Sequence, residues 1–191
     1  KNRLKTYKQA IDLLIKIQKI KYKKNIKDIN NKLYLIKEYS NKILEKESDL
    51  FWKWYLPLFL NKQKTLYIKK KIKKILSKIY KKLDYGNKCL VHRDFHAQNL
   101  MKVGNKISII DSQDALIGNP AYDLVSLIDD VRIKTSNNLK ENIYEYYLKK
   151  NLITNNKNNK IFLENFNILS VQRNLKIIGI FSRLFKRDKK K

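Results

Sequence analysis

The chain has 191 residues, 43% of them hydrophobic, and a formal charge of +27, which suits one ordinary domain or one lobe of a larger protein, with a sizeable core. No apolar stretch approaches the roughly 20 residues of a membrane span, no apolar secretory region follows Lys1-Asn2-Arg3, and the single cysteine, Cys89, excludes an intrachain disulfide and fits a reducing cytoplasm. The charge is nearly all lysine, with arginine only at positions 3, 93, 132, 173, 183 and 187, and lysine spreads along every predicted helix beside abundant asparagine and isoleucine, which reads as the codon bias of an AT-rich genome rather than as a nucleic-acid or membrane patch.

Leu4, Tyr7, Ile11, Leu14 and Ile15 recur at helical spacing and predict an amphipathic helix over 3–20. A polar, lysine-rich connection follows at 21–29. A second helix is expected through Leu33, Ile36, Tyr39, Ile43 and Leu44, then an aromatic cluster, Phe51, Trp52, Trp54 and Tyr55, stopped by Pro57 and read as core packing between helices. Residues 65–84 predict a helix with Leu66, Ile72, Ile75, Leu76, Ile79 and Leu83 on one face. There the period changes. Cys89-Leu90-Val91, Leu100 to Val103 and Ile107 to Ile110 are short apolar runs, the last two separated by Gly104-Asn105, a tight hairpin signal. A loop carrying Gly118-Asn119-Pro120 leads to a helix from Tyr122 through Leu124, Leu127, Ile128 and Val131. Further helices are expected over 138–150 and 160–185, with a polar loop from Asn155 to Asn159 and a frayed end at Lys189-Lys190-Lys191. The fold class is mostly α with a small β insertion; too few strands alternate with helices for a parallel sheet.

That insertion holds the chemistry. His92-Arg93-Asp94 is followed, after four intervening residues, by Asn99, and a hairpin then leads through Ile109-Ile110 to Asp111. If the two short strands pair, a turn presenting a carboxylate and an amide converges with a second carboxylate at a strand end. Phosphoryl transfer needs such a set, because its catalysis is mostly positioning and charge neutralisation. Mg²⁺ prefers hard oxygen ligands and keeps several waters, so Asp111 and Asn99 suffice as its protein ligands. Asp94 suits the remaining role, orienting the attacking hydroxyl and accepting its proton. The alternative is an ordinary turn with capping Asp and Asn residues, but the combined spacing is too specific for that. His92 and Arg93 read as support for the loop. His96, near the phosphates, and Gln98, facing the acceptor, are further candidates.

His92 through Asn99 resembles the catalytic loop of the aminoglycoside phosphotransferase and choline kinase superfamily, relatives of protein kinases. The stretch from Ile110 to Leu124 is similar to the bacterial subgroup of cell-wall amino-sugar kinases, which phosphorylate N-acetylmuramate and N-acetylglucosamine on the anomeric hydroxyl using ATP. Trp54-Tyr55-Leu56-Pro57 and the segment from Gln172 to Phe181 look like the same subgroup, so the resemblance covers most of the chain in order. It implies Asp94 as catalytic base, Asn99 and Asp111 as magnesium ligands, Asp123 as a helix-start brace of the catalytic loop, and Asp114 and Arg173 as candidates for contact with acceptor or phosphates. It implies ATP as co-substrate and a small sugar as acceptor.

The resemblance departs in one place. The family's smaller N-terminal lobe carries a nucleotide-covering loop and a strand lysine, whereas the four glycines here, 86, 104, 118 and 179, form no glycine-rich loop. Lys1 stands first and Met101 is the only methionine. The expectation is therefore a C-terminal lobe spanning 1–191, with its catalytic loop and magnesium site over 91–124 and the N-terminal lobe in a longer parent chain. Three functions compete: an ATP-dependent small-molecule kinase, of amino-sugar, aminoglycoside or choline type; a silent pseudokinase-like fragment; and a nucleic-acid module, motivated only by charge.

Overall fold

A computed structural model describes residues 3–23, 25–83, 88–151 and 156–188. In chain order these form α1 (Arg3–Gln18), β1 (Asn25–Lys27), β2 (Leu33–Leu35), α2 (Asn41–Leu50), a π turn (Phe51–Tyr55), a 3-10 turn (Leu56–Leu58), α3 (Lys62–Tyr80), β3 (Cys89–Val91), a second 3-10 turn (Ala97–Asn99), β4 (Leu100–Val103), β5 (Lys106–Ile109), β6 (Leu116–Gly118), α4 (Ala121–Ile128), α5 (Asn137–Lys150) and α6 (Asn156–Asp188). Helix dominates. The strands form three antiparallel pairs, β1–β2, β3–β6 and β4–β5. Gly86, Asn155 and Lys189 to Lys191 lie outside the described residues.

The chain divides into two compact units. The first comprises Lys1–Tyr39 with Tyr85–Phe166, the second Ser40–Asp84 with Asn167–Lys191. In the first unit the helical spacing of α1 places Ala10, Ile11, Leu14 and Ile15 in the core, and Ile11 and Leu14 are fully buried. Each such side chain contributes about 1.5–3 kcal/mol by leaving water. α1 packs on α4, α5, β3 and β5. Polar bonds fix its orientation: Tyr146 Oη donates to Asp12 at 2.9 Å, Tyr147 Oη to Gln18 Oε1 at 2.7 Å, and Gln18 Nε2 to the Pro120 carbonyl at 2.9 Å. Every residue of α4 is buried. The Asn119 side chain accepts the Ala121 N–H at 3.0 Å, closing the turn that starts this helix.

In the second unit α2 packs on α3. Ser48 Oγ and Tyr80 Oη lie 2.7 Å apart in its core, and Gln172 and Lys176 of α6 meet Glu47 of α2 at 3.1 Å each. Gly179 is required here, because a Cβ would run into the Leu50 backbone and side chain. In the aromatic cluster Trp52 is buried, while Phe51 stacks on Tyr55 at 5.1 Å.

Several expected elements are corrected. Residues 33–39 are not helical. Leu33–Leu35 is an exposed strand paired with β1, through a turn in which Asp28 Oδ1 accepts the N–H groups of Asn30 and Lys32 at 2.8 Å. The backbone from Lys37 to Tyr39 bonds Ile117 instead, with Tyr39 N–H to the Ile117 carbonyl at 2.7 Å and Ile117 N–H to the Lys37 carbonyl at 3.0 Å. α2 starts only after Ser40. On α3, Leu66 and Ile75 are 54% and 59% exposed, and the buried residues are Leu76 and Tyr80. The loop after Asp111 contains β6, and residues 156–159 belong to α6 rather than to a loop. Val131 lies beyond α4, which ends at Ile128. Among the described residues, no helix is long and apolar enough to cross a membrane.

Candidate active site

All the candidate residues from His92 to Asp123 lie in the first unit. β3 pairs with β6 in the register Val91↔Leu116, and Val91 and Phe95 are fully buried. Those two side chains pin the loop from both ends of the His92-Arg93-Asp94 turn. The turn needs Arg93 at φ 73°, a left-handed conformation that is costly for a non-glycine residue. Asp123, fully buried in the first turn of α4, holds it there. One carboxylate oxygen accepts the His92 N–H at 2.7 Å and the other the Arg93 N–H at 2.9 Å. The Arg93 guanidinium lies over the Tyr39 ring at 5.3 Å and donates to the Asp114 carbonyl at 3.2 Å.

Beyond Asp94 the chain makes a compact turn. The Asp94 carbonyl accepts the His96 N–H at 2.9 Å and the Asn99 Nδ2 at 3.0 Å, and the His96 carbonyl accepts the Asn99 N–H at 3.0 Å. The Asn99 amide is thereby oriented, its nitrogen spent on Asp94 and its Oδ1 left as a hard neutral oxygen. β4 and β5 pair in the register Leu100↔Ile109, through a two-residue turn with Gly104 at φ 59°. The Ile110 N–H continues the ladder to the Asn99 carbonyl at 3.1 Å. Asp111 therefore emerges beside Asn99, at φ 71°. Gln113 Nε2 donates to the Asp111 carboxylate.

His92 reports on both acids. It is buried, and burial pushes its imidazole below the usual histidine range. The carboxylates of Asp94 and Asp111 and the nearby Ile110 backbone pull the other way without prevailing. Burial thus favours the neutral ring, which packs edge-on against Phe95 at 6.3 Å between centroids. Cys89, at the start of β3, is pushed up to about 12 by burial first and by the Asp123 charge second.

The geometry thus gathers Asp94, Asn99, Asp111, His92, Arg93 and Asp123 around one loop and hairpin. His96 is buried within it, whereas Gln98 and Asp114 are exposed, the latter touching Arg93 through its backbone. Arg173 is buried on α6 and belongs to the second unit. Among the described residues no three His, Cys, Asp or Glu side chains gather to hold a metal. The oxygen donors beside Asp94 are one carboxylate and one amide, a set that fits a hard cation completing its shell with water and phosphate.

Three neighbours escaped the sequence reading. Tyr39 and Gln113 carry no signal of their own. Asp130, 4% exposed, accepts the Ala97 N–H at 3.1 Å; its signal is the Asp129-Asp130 pair that abruptly ends the apolar run of α4.

Comparison with known proteins places the chain in a family. Residues 3–155 match the model of the phosphotransferase enzyme family APH, and the chain belongs to that family. Among curated proteins it is 31% identical over 159 residues to an N-acetylmuramate/N-acetylglucosamine kinase of Neisseria meningitidis, covering 82% of this chain and 48% of that protein. A protein of the same name from Pseudomonas aeruginosa is 29% identical over 187 residues, 96% of this chain and 52% of its own length. The chain spans about half the length of the curated relatives it matches. Among solved structures, the amicoumacin kinase hAmiN in complex with AMP-PNP, Ca²⁺ and Ami shares the fold, with a TM-score of 0.63 at 16% identity over 98% of this chain and 54% of that one.

Proposed function

We propose that this chain carries the catalytic loop of an ATP-dependent kinase that phosphorylates the anomeric hydroxyl of N-acetylmuramate or N-acetylglucosamine, a step of cell-wall recycling in the cytoplasm. The observation that carries the reading is the link from the Asp94 carbonyl to the Asn99 amide, with Asp111 emerging one residue beyond the strand bond to Asn99. Kinases named for these two sugars, about 30% identical, support the acceptor.

On this reading Asp94 accepts a hydrogen bond from the acceptor hydroxyl and takes its proton as the oxygen attacks the γ-phosphorus, whose bond to the bridging β,γ oxygen breaks to release ADP. Asn99 Oδ1 and the Asp111 carboxylate would hold Mg²⁺, which when bound offsets the charge of the phosphates. Asp123 keeps the loop in its strained turn. His92, neutral and buried, adds no positive charge beside Asp94 that would weaken it as a base. His96, Gln98, Asp114 and Arg173 are proposed as secondary contacts to phosphates or acceptor. The nucleotide-gripping elements of a kinase-like fold, a strand lysine and a covering loop, are assigned to a chain of the relatives' full length.

The test is an acceptor panel with the full-length protein: ATP and Mg²⁺ with N-acetylmuramate, N-acetylglucosamine, an aminoglycoside and choline, the products read by mass and by ³¹P NMR. A sugar 1-phosphate is expected. Transfer to an aminoglycoside or choline alone overturns the acceptor; transfer to none favours a silent scaffold.

A further inference from the structure

We propose that Asp130 is a positioning residue that fixes Asn99 relative to Asp94; the idea rests on the kinase reading for its consequence, though not for its geometry. A carboxylate with only 1% of its side chain exposed, following the fully buried α4, is costly unless paired. Its three donors account for it. Oδ2 accepts the Ala97 N–H at 3.1 Å, and Oδ1 accepts the Arg132 N–H at 3.1 Å and Arg132 Nη1 at 3.4 Å. Arg132 keeps 30% of its side chain exposed and orients the carboxylate, leaving the second oxygen aimed at Ala97.

Ala97 opens the 3-10 turn whose last residue is Asn99. The loop is therefore gripped twice by carboxylates at the two ends of one helix. Asp123, in the first turn of α4, holds His92 and Arg93 just before the base, and Asp130, two residues past its end, holds Ala97 just before the amide. Asp94 lies between the grips, and Asn99, two residues beyond the second, bonds back through Nδ2 to the Asp94 carbonyl. Releasing Ala97 lets the turn rotate and swings Asn99 Oδ1 away, while the base stays anchored by Asp123.

The test pairs two variants with two readouts. In Asp130→Asn, which keeps the shape, and in Asp130→Ala, amide exchange by NMR on this chain should show the Ala97 N–H exchanging at least about tenfold faster than in wild type, while the His92 and Arg93 amides keep their protection. In the full-length protein, kcat should fall about ten- to a hundredfold, the range expected for a misplaced group, with a higher Mg²⁺ concentration for half-maximal rate and an acceptor KM within about threefold. If Asp130→Ala does not fold, Asp130→Asn carries both readouts. Unchanged Ala97 exchange overturns the anchor. Faster exchange with unchanged kcat and Mg²⁺ dependence overturns the positioning role. A wild-type protein that transfers no phosphoryl group defeats the kinase reading instead, while the exchange result still decides whether Asp130 holds Ala97.

Discussion

Replacing Asp123 by alanine should be among the most damaging single changes in the first unit. The side chain is fully buried and takes two backbone N–H groups, from His92 at 2.7 Å and Arg93 at 2.9 Å. Alanine removes both acceptors and leaves two donors beside a fully buried Val91. An unsatisfied buried donor costs about 1–3 kcal/mol, so the change should cost about 2–6 kcal/mol from a total stability on the order of 5–15 kcal/mol. Asp123→Asn keeps one acceptor oxygen and should cost roughly half as much. Urea unfolding at pH 7, followed by circular dichroism, measures the loss as a shift in midpoint at constant slope. A loss below about 1 kcal/mol for Asp123→Ala would show that the turn holds itself and that Asp123 does not brace it.

Other outcomes follow from the same contacts. Gly179→Ala forces α6 away from the Leu50 backbone and should destabilise the protein by about 1–3 kcal/mol, as overpacking does; a thermal melt within 1–2 °C or so of wild type would contradict that packing. Folding should also depend on pH at both ends. His92 is held neutral in the fold, so below its ordinary value of 6.5 the unfolded chain binds the extra proton and stability falls as pH drops. Cys89 stays a thiol up to about pH 12 when folded but ionises near 9 when unfolded, so stability should fall by up to about 1.4 kcal/mol per pH unit between those values. Denaturant midpoints for His92→Gln below pH 6.5, and for Cys89→Ala above pH 9, should show a flatter slope than wild type, and an unchanged slope in either would refute the corresponding burial argument.

The proposed catalytic loop was legible because its residues are close in sequence. Asp94, Asn99 and Asp111 sit at fixed sequence distances, and the hairpin between Asn99 and Asp111 announces itself through Gly104 and two apolar runs. The helical reading of Leu33 to Tyr39 failed because tertiary bonds overrode periodicity. Lys37 and Tyr39 are extended to meet Ile117, a partner eighty residues away that no local pattern reveals. A short apolar run is also ambiguous between helix and strand, and Leu33, Tyr34 and Leu35 form a strand that is exposed rather than buried. On α3 the spacing gave a helix but misplaced its face, because Tyr80, bonded to Ser48, is part of the buried stripe and Ile75 is not. The role of Asp130 was hidden for another reason, although the Asp129-Asp130 pair marks its position. Its role depends on a backbone N–H thirty-three residues upstream, and a sequence shows a carboxylate but not the amide it serves.

The proposed kinase chemistry turns on Asp94 taking the acceptor's proton, on a loop shared with Asn99 and Asp111. It is tested most directly by following phosphoryl transfer from ATP to N-acetylmuramate in the full-length wild-type protein and in Asp94→Ala, with unfolding curves run alongside. In Asp94→Ala kcat should drop by about 10²–10⁴-fold, the usual loss of a general base, with stability little changed. Transfer by Asp94→Ala at the wild-type rate would contradict it.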